Sequence, residues 1–201
     1  MFLLSRHRFS EAIETLRAAL RLDPYSPWLH ARLGWSLHLA GDAAGSLRQI
    51  ETAFVEFPDI ADVSLHAAWI FAYLGEAHRA VEIAQELCQR NPDFDLAFAA
   101  HAYALACAGR ADQAHEILDR LEWLGRERFV LSSFTAAVHV ALGEPEAALD
   151  RLRAANEARC PWFFQLLADP ALNALRDQPK FKDLQAILPA MEAAVHNAPG
   201  K

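Results

Sequence analysis

Four glycines, Gly41, Gly75, Gly109 and Gly143, follow one another at intervals of 34 residues. Each lies in a short helix-breaking stretch: LAGDAAGS (39–46), YLGEAHRA (73–80), CAGRADQA (107–114) and ALGEPEAA (141–148). A fixed period of this length marks a repeat array, in which one supersecondary unit stacks on the next. Aligned on that period, the chain gives a small column, Ala12, Ser46, Ala80, Ala114 and Ala148. Four residues on come Leu16, Ile50, Ala84, Leu118 and Leu152, and three further on Ala19, Ala53, Leu87, Leu121 and Ala155. Offsets of four and seven put these columns on one helix face. The small column lets a neighbouring helix approach closely, and the larger ones fill the space beside it.

Prolines close the period. Pro24, Pro58 and Pro92 follow Asp23, Phe57 and Asn91, and a residue before proline is pushed out of the helical region. Each period therefore reads as helix, glycine turn, helix, proline stop. Helices are expected over 9–22, 27–40, 43–56, 61–74, 77–90, 95–108, 111–124, 128–142 and 145–158. Pro145, behind Glu144, suits a first helical position, where its missing N–H costs nothing.

This pattern resembles the tetratricopeptide (TPR) repeat, with an early Leu-Gly pair, a small residue after the turn and a closing proline. LGWSL, with Leu33, Gly34 and Leu37, carries the pair; Ala80, Ala114 and Ala148 carry the small position. The chain departs from the family at His30, where tryptophan is favoured, and at Ala68, Ala102 and Ala136, which replace the early glycine. Arg126 and Cys160 replace the proline of the last two repeats. The resemblance implies an all-α fold, a right-handed α-α superhelix of TPR helix hairpins with a C-terminal capping helix. The array is expected over 1–160, as a half repeat 1–26 and repeats 27–60, 61–94, 95–128 and 129–160. Residues 161–190 are expected to form the cap and 191–201 a disordered tail.

Such an array leaves two apolar end faces. At the C-terminus the register breaks into PWFFQLLADPALNALRDQPKFKDLQAIL, where Asp169-Pro170 and Gln178-Pro179 each start a short helix. Phe181, Leu184, Ile187 and Leu188 fall on one face of the second, the expected cap. The N-terminus keeps only MFLLS of a first helix, so its end face is expected to lack a cover, which favours a homodimer and reads as the tail of a longer polypeptide. Asp169, Pro170, Leu175, Arg176, Pro179, Phe181 and Leu184 are similar to a signature closing TPR regions in bacterial winged-helix regulators, adenylate cyclase-like proteins and kinases. That resemblance spans some sixteen residues. It implies a regulatory or sensory C-terminal domain of a larger signalling or transcription-regulation protein, whose upstream domain would be a partner within the same chain.

In TPR proteins the first helix of each repeat lines a concave groove. The column Trp35, Trp69, Tyr103, Ala137 is offset from the Leu33 and Leu37 stripe, which is expected to pack on its own partner helix, and so should face that groove. Trp28 and His38 flank Trp35; Leu65, His66 and Tyr73 flank Trp69; Leu96 flanks Tyr103. A helix apolar on two faces is either buried on both or holds one face ready for a partner. One reading packs these aromatics repeat against repeat. The other stacks them as a ladder that accepts a peptide or helix from a protein partner, with Trp28, Trp35, His38, Leu65, His66, Trp69, Tyr73, Leu96 and Tyr103 as the binding residues. Ala31, Leu65 and Ala99 in one column, and Trp35 and Trp69 in the other, differ from the Lys and Asn pattern that clamps a C-terminal carboxylate.

Composition narrows the function classes. The net charge is −7, from 26 acidic and 19 basic residues, and no basic stripe offers phosphate neutralisation, so no direct nucleic-acid partner is expected. Cys88, Cys107 and Cys160 form neither a disulfide framework nor a zinc knuckle, which suits a reducing cytoplasm. The most apolar stretch, 96–109, contains His101 and is too short to span a membrane. No phosphate-cradling loop, nucleophile elbow or His-Glu-x-x-His pair is present. No catalytic residue, cofactor or metal is therefore expected, although His115 and Asp119, or His30 and His38, could form a half-site. His66, if buried, could make partner binding pH-sensitive. The expected function is a non-catalytic protein-protein interaction module.

Overall fold

The computed structural model describes residues 2–127, 130 and 132–189. The expected tail 191–201 lies outside them. The elements are α1 (Phe2–Ser5), α2 (Phe9–Leu22), α3 (Pro27–Leu39), α4 (Ala43–Glu56), α5 (Ala61–Tyr73), α6 (Ala77–Arg90) and α7 (Asp95–Cys107). They continue as α8 (Ala111–Gly125), α9 (Ser132–Ala141), α10 (Pro145–Glu157), α11 (Phe163–Leu166), a 3-10 helix (Pro170–Leu175) and α12 (Pro179–Gln185). No strand occurs among the described residues. The fold is all-α, a series of antiparallel helix hairpins of TPR type.

The 34-residue glycine interval has a backbone cause. Gly75 has φ +92°, and an added Cβ would meet no atom within 4 Å. Glycine is required there by the left-handed backbone, not by crowding. The Gly75 N–H reaches Ala72 O and the Glu76 N–H reaches Phe71 O, the paired bonds that satisfy the last carbonyls of a helix. Gly41, Gly109 and Gly143 repeat the geometry. The same position one period earlier is His7, also left-handed at φ +56°, with matching bonds to Leu4 and Leu3. The turn column thus extends to the first hairpin, where the residue is not glycine and the sequence pattern could not show it.

Helix ends agree with expectation within a residue, with one correction. The helix expected over 128–142 begins at Ser132, and Val130 is not helical; residues 128, 129 and 131 lie outside the described ones. Arg126 stands where earlier repeats carry proline, and α8 runs on to Gly125 before ending.

Successive first helices α3, α5, α7 and α9 pack side by side, while successive second helices do not pack to a comparable degree. The first-helix row therefore lines the inner side of the array's curve. Ser46 Oγ donates to Gly34 O at 2.9 Å, and Gly34 faces Ile50 across this small contact. The expected packing of Leu33 and Leu37 on their own partner helix is corrected here. They join Ile13, Leu16 and Leu20 of the preceding α2, because Gly34 already presents the other face of α3 to α4.

The end of α10 redirects the chain. Arg159, left-handed at φ +52°, donates its N–H to Asn156 O, and the Cys160 N–H reaches Ala155 O. A left-handed turn stands where α2, α4 and α6 end before a proline. Residues beyond it return across the inner side: α11 touches α1, α9 and α10, and the 3-10 helix packs on α9. His7 Nε2 bonds Phe164 O at 2.7 Å, so the two ends of the array meet through this segment. Only then does α12, with Phe181 and Leu184 buried, pack on α10. The helix expected at Asp169-Pro170 is a 3-10 helix, and the N-terminal end carries α1 and the returning segment against it.

Candidate functional site

The inner face is built from first helices that are apolar all round. In α5 every residue from Val63 to Ala72 is buried, and α3 is buried from Leu33 to Leu39. One side of each helix meets its hairpin partners. On α3, α5 and α9 the other meets the returning segment 161–176, through His38, Trp69 and Phe134.

Asp169 is the centre of that contact. Its side chain is 1% exposed and accepts three N–H donors: His38 Nε2 at 3.0 Å and the Ala171 backbone at 2.9 Å on Oδ1, and Trp69 Nε1 at 3.1 Å on Oδ2. The Ala171 bond also caps the 3-10 helix. A buried carboxylate needs such compensation, since its desolvation is otherwise several kcal/mol. Trp69, 2% exposed, stacks on Tyr103 at 4.5 Å between centroids and stands edge-on to Phe134 at 5.5 Å. Phe134 in turn meets Trp162 at 6.0 Å. Burial raises the Tyr103 phenol well above its usual range.

The nine residues singled out in the sequence divide by place. Trp35, His38, Leu65, His66, Trp69 and Tyr103 are buried together on the inner face; Tyr73 and Leu96 are half-buried beside them. His38 stacks on Trp35 and meets the Tyr73 ring edge-on at 5.0 Å. Trp28, 49% exposed, stands apart at the N-terminal edge. There it borders an apolar hollow of about 340 Å3 with Leu3, Leu4, Leu16 and Leu29. The aromatics do not form a continuous stacked ladder. Trp35 is edge-on to Trp69, 74° between planes, because His38 already occupies its face.

Five contributors were not singled out: Arg32, Asp62, Phe134, Trp162 and Asp169. With Trp35, Leu65, His66, Trp69, Phe94 and Leu96, four of them enclose a cavity of about 230 Å3 between the wall and the returning segment. Arg32 lies 3.7 Å from Asp62 and over the rings of Trp28 and Trp162, and burial lowers its pKa. His66 donates from Nδ1 to Asp62 O at 2.6 Å, and burial lowers its pKa despite the nearby Asp62 carboxylate. The proline after Asp169 marked a helix start, but nothing local pointed to its distant partners.

The histidine half-sites resolve into structural contacts. His30 bonds Pro24 O and Gln49, far from the His38 contact with Asp169. His115 Nε2 and His139 Nδ1 meet the two oxygens of Glu144 at 2.8 and 2.7 Å, tying α8 and α9 to the start of α10. Hydrogen bonding to Glu144 raises the His115 pKa, and that to His139 chiefly lowers the Glu144 pKa. Among the described residues no group of three or more His, Cys, Asp or Glu is placed to hold a metal, and no helix is long and apolar enough to cross a membrane. The three cysteines are free, and burial pushes the Cys88 thiol up to about 11.

Helix hairpins joined by left-handed turns and stacked through their first helices define a helical-repeat fold of TPR type. Solved structures agree. The chain is similar in fold to MamA AMB-1, with TM-score 0.53 and 20% identity over 78% of this chain and 93% of that one. It is likewise similar to MamA MSR-1, with TM-score 0.51 and 20% identity over 78% and 90%. No family model matches the sequence, and no curated protein matches it.

Proposed function

We propose that the protein is a non-catalytic interaction module whose inner aromatic face docks a short acidic-aromatic segment of a protein. One observation carries the reading: the Asp169 carboxylate, presented by an incoming segment, accepts from both His38 and Trp69. Of the aromatic residues ahead of it, Trp162 packs against Phe134 and Phe163 is buried. The segment from Pro161 to Gln178 is then the face's occupant in cis, and a partner carrying similar chemistry is its competitor. Large aromatic anchors with a desolvated polar contact are what dominate such interfaces.

Tethering favours the chain's own segment, since a short linker gives an effective concentration in the millimolar range. Asp169→Ala in the full chain weakens the tethered competitor. A labelled peptide of residues 161–178 is expected to bind that variant at least about tenfold tighter than the wild-type chain, measured by fluorescence anisotropy. The same peptide carrying Ala at position 169 is expected to bind neither. Equal, negligible binding of the unaltered peptide to both chains refutes the docking face.

A second reading rests on the C-terminal signature, which resembles the ends of TPR regions in bacterial signalling proteins. In this chain Leu175, Phe181 and Leu184 are buried, and Arg176 bonds Ala168 O, so these positions serve the returning segment and α12. The sequence upstream of Met1 tests it: an in-frame regulator or cyclase domain supports this reading.

A further inference from the structure

The cavity of about 230 Å3 lies where Trp35, Leu65, Trp69 and Leu96 of the wall face Phe134 and Trp162. Its lining is almost wholly apolar. An apolar cavity of roughly 150 Å3 holds benzene, so this one has room for a fused two-ring molecule. Flat rings on several sides favour a flat occupant, because offset and edge-on ring contacts add to simple burial.

Buried polar atoms without a partner border this site. The indole N–H of Trp35, itself 2% exposed, has no acceptor, and Asp62 Oδ2 is buried with no donor. Trp69 offers no such vacancy, because Asp169 already accepts from it. Buried polar groups almost always have partners, and a donor and an acceptor on residues of one apolar lining ask for a ligand with the opposite pair. The neighbouring charges, Arg32 and Asp62 at 3.7 Å, offset each other, which selects an uncharged ligand.

We propose that this cavity binds a small, neutral, flat benzo-fused heterocycle of about ten non-hydrogen atoms, which accepts from Trp35 and donates to Asp62. Such an occupant touches the wall and Trp162 together, so it stabilises the seated state of the returning segment. The inference concerns this cavity and not peptide exchange; its failure would leave the docking proposal standing.

The test uses the full chain labelled with 15N, whose five tryptophans give five indole N–H signals. Oxindole is the probe: a fused bicycle with one carbonyl acceptor and one N–H donor. Trp35→Phe assigns the Trp35 signal by its loss. Titration is expected to shift that signal saturably and to leave the signal of Trp123, on α8, in place. Leu96→Trp fills the cavity and is expected to weaken binding at least about tenfold. Absence of a saturable Trp35 shift in the wild-type chain up to the solubility of oxindole overturns the proposal, whatever the variant does. So does an unchanged Kd in a folded Leu96→Trp protein.

Discussion

The first and second helices of the repeats have similar lengths and opposite surroundings. In α6, a second helix, Ala80, Ala84 and Leu87 are buried while Arg79, Gln85 and Glu86 reach solvent. In α5, a first helix, ten consecutive residues from Val63 to Ala72 are buried. An amphipathic stripe needs one covering surface; a helix apolar on every side needs two. The second helices are satisfied by their neighbours in the stack. Among the first helices, α3, α5 and α9 are not, and segment 161–176 supplies their missing cover.

The largest expected difference between the rows comes from paired tryptophans. Trp69→Ala removes a buried ring, its stack on Tyr103 and a donor to Asp169, and should cost about 3–5 kcal/mol in denaturant unfolding. Trp123→Ala, at a residue 55% exposed on a second helix, should change stability by less than about 0.5 kcal/mol. Comparable losses at the two sites would erase the distinction.

The turns joining the rows give a smaller and signed effect. Gly75→Ala places a Cβ at φ +92° and should destabilise by about 1–2 kcal/mol. Arg159→Gly relieves the same strain at φ +52° and should stabilise by up to about 1 kcal/mol. Both are read from urea midpoints at constant slope. Opposite signs are required if Arg159 occupies the glycine role at the end of α10.

The smallest effect is the pH dependence of the inner row. Burial lowers the His66 pKa from its ordinary 6.5, so below that value the unfolded chain binds a proton that the folded chain resists. Its contribution is full above the unfolded value and is lost as the pH falls through it towards the lowered folded value. Between about pH 7.5 and about pH 5.5, wild type should lose more stability than His66→Gln, by up to about 1 kcal/mol. His115, raised by Glu144, and His101, lowered by burial, are present in both proteins and cancel from the difference. Parallel pH profiles would remove His66 from the account.

Much of the array was legible because its determinants are local and repeated. The glycine turns, the proline stops at Pro24, Pro58 and Pro92 and the small-residue column each act within one or two hairpins. The clustering of Trp35, His38, Leu65, His66, Trp69 and Tyr103 followed from the same period. What covers them did not. Asp169 lies 131 residues from His38 and 100 from Trp69, and no periodicity connects a segment outside the register to the face it meets. Arg159 hid the change of direction, since a left-handed arginine has no sequence signature comparable to glycine. His7 hid the first turn of the column for the same reason.

The central claim is that the returning segment sits on the inner face through Asp169. NMR contacts from the Trp69 indole proton test it most directly, because that N–H lies 3.1 Å from the Asp169 carboxylate. Cross-peaks to the β-protons of Asp169, with the indole proton protected from solvent exchange, are the expected result. A Trp69 proton that exchanges freely and shows contacts only within α5 and α7 would contradict the account.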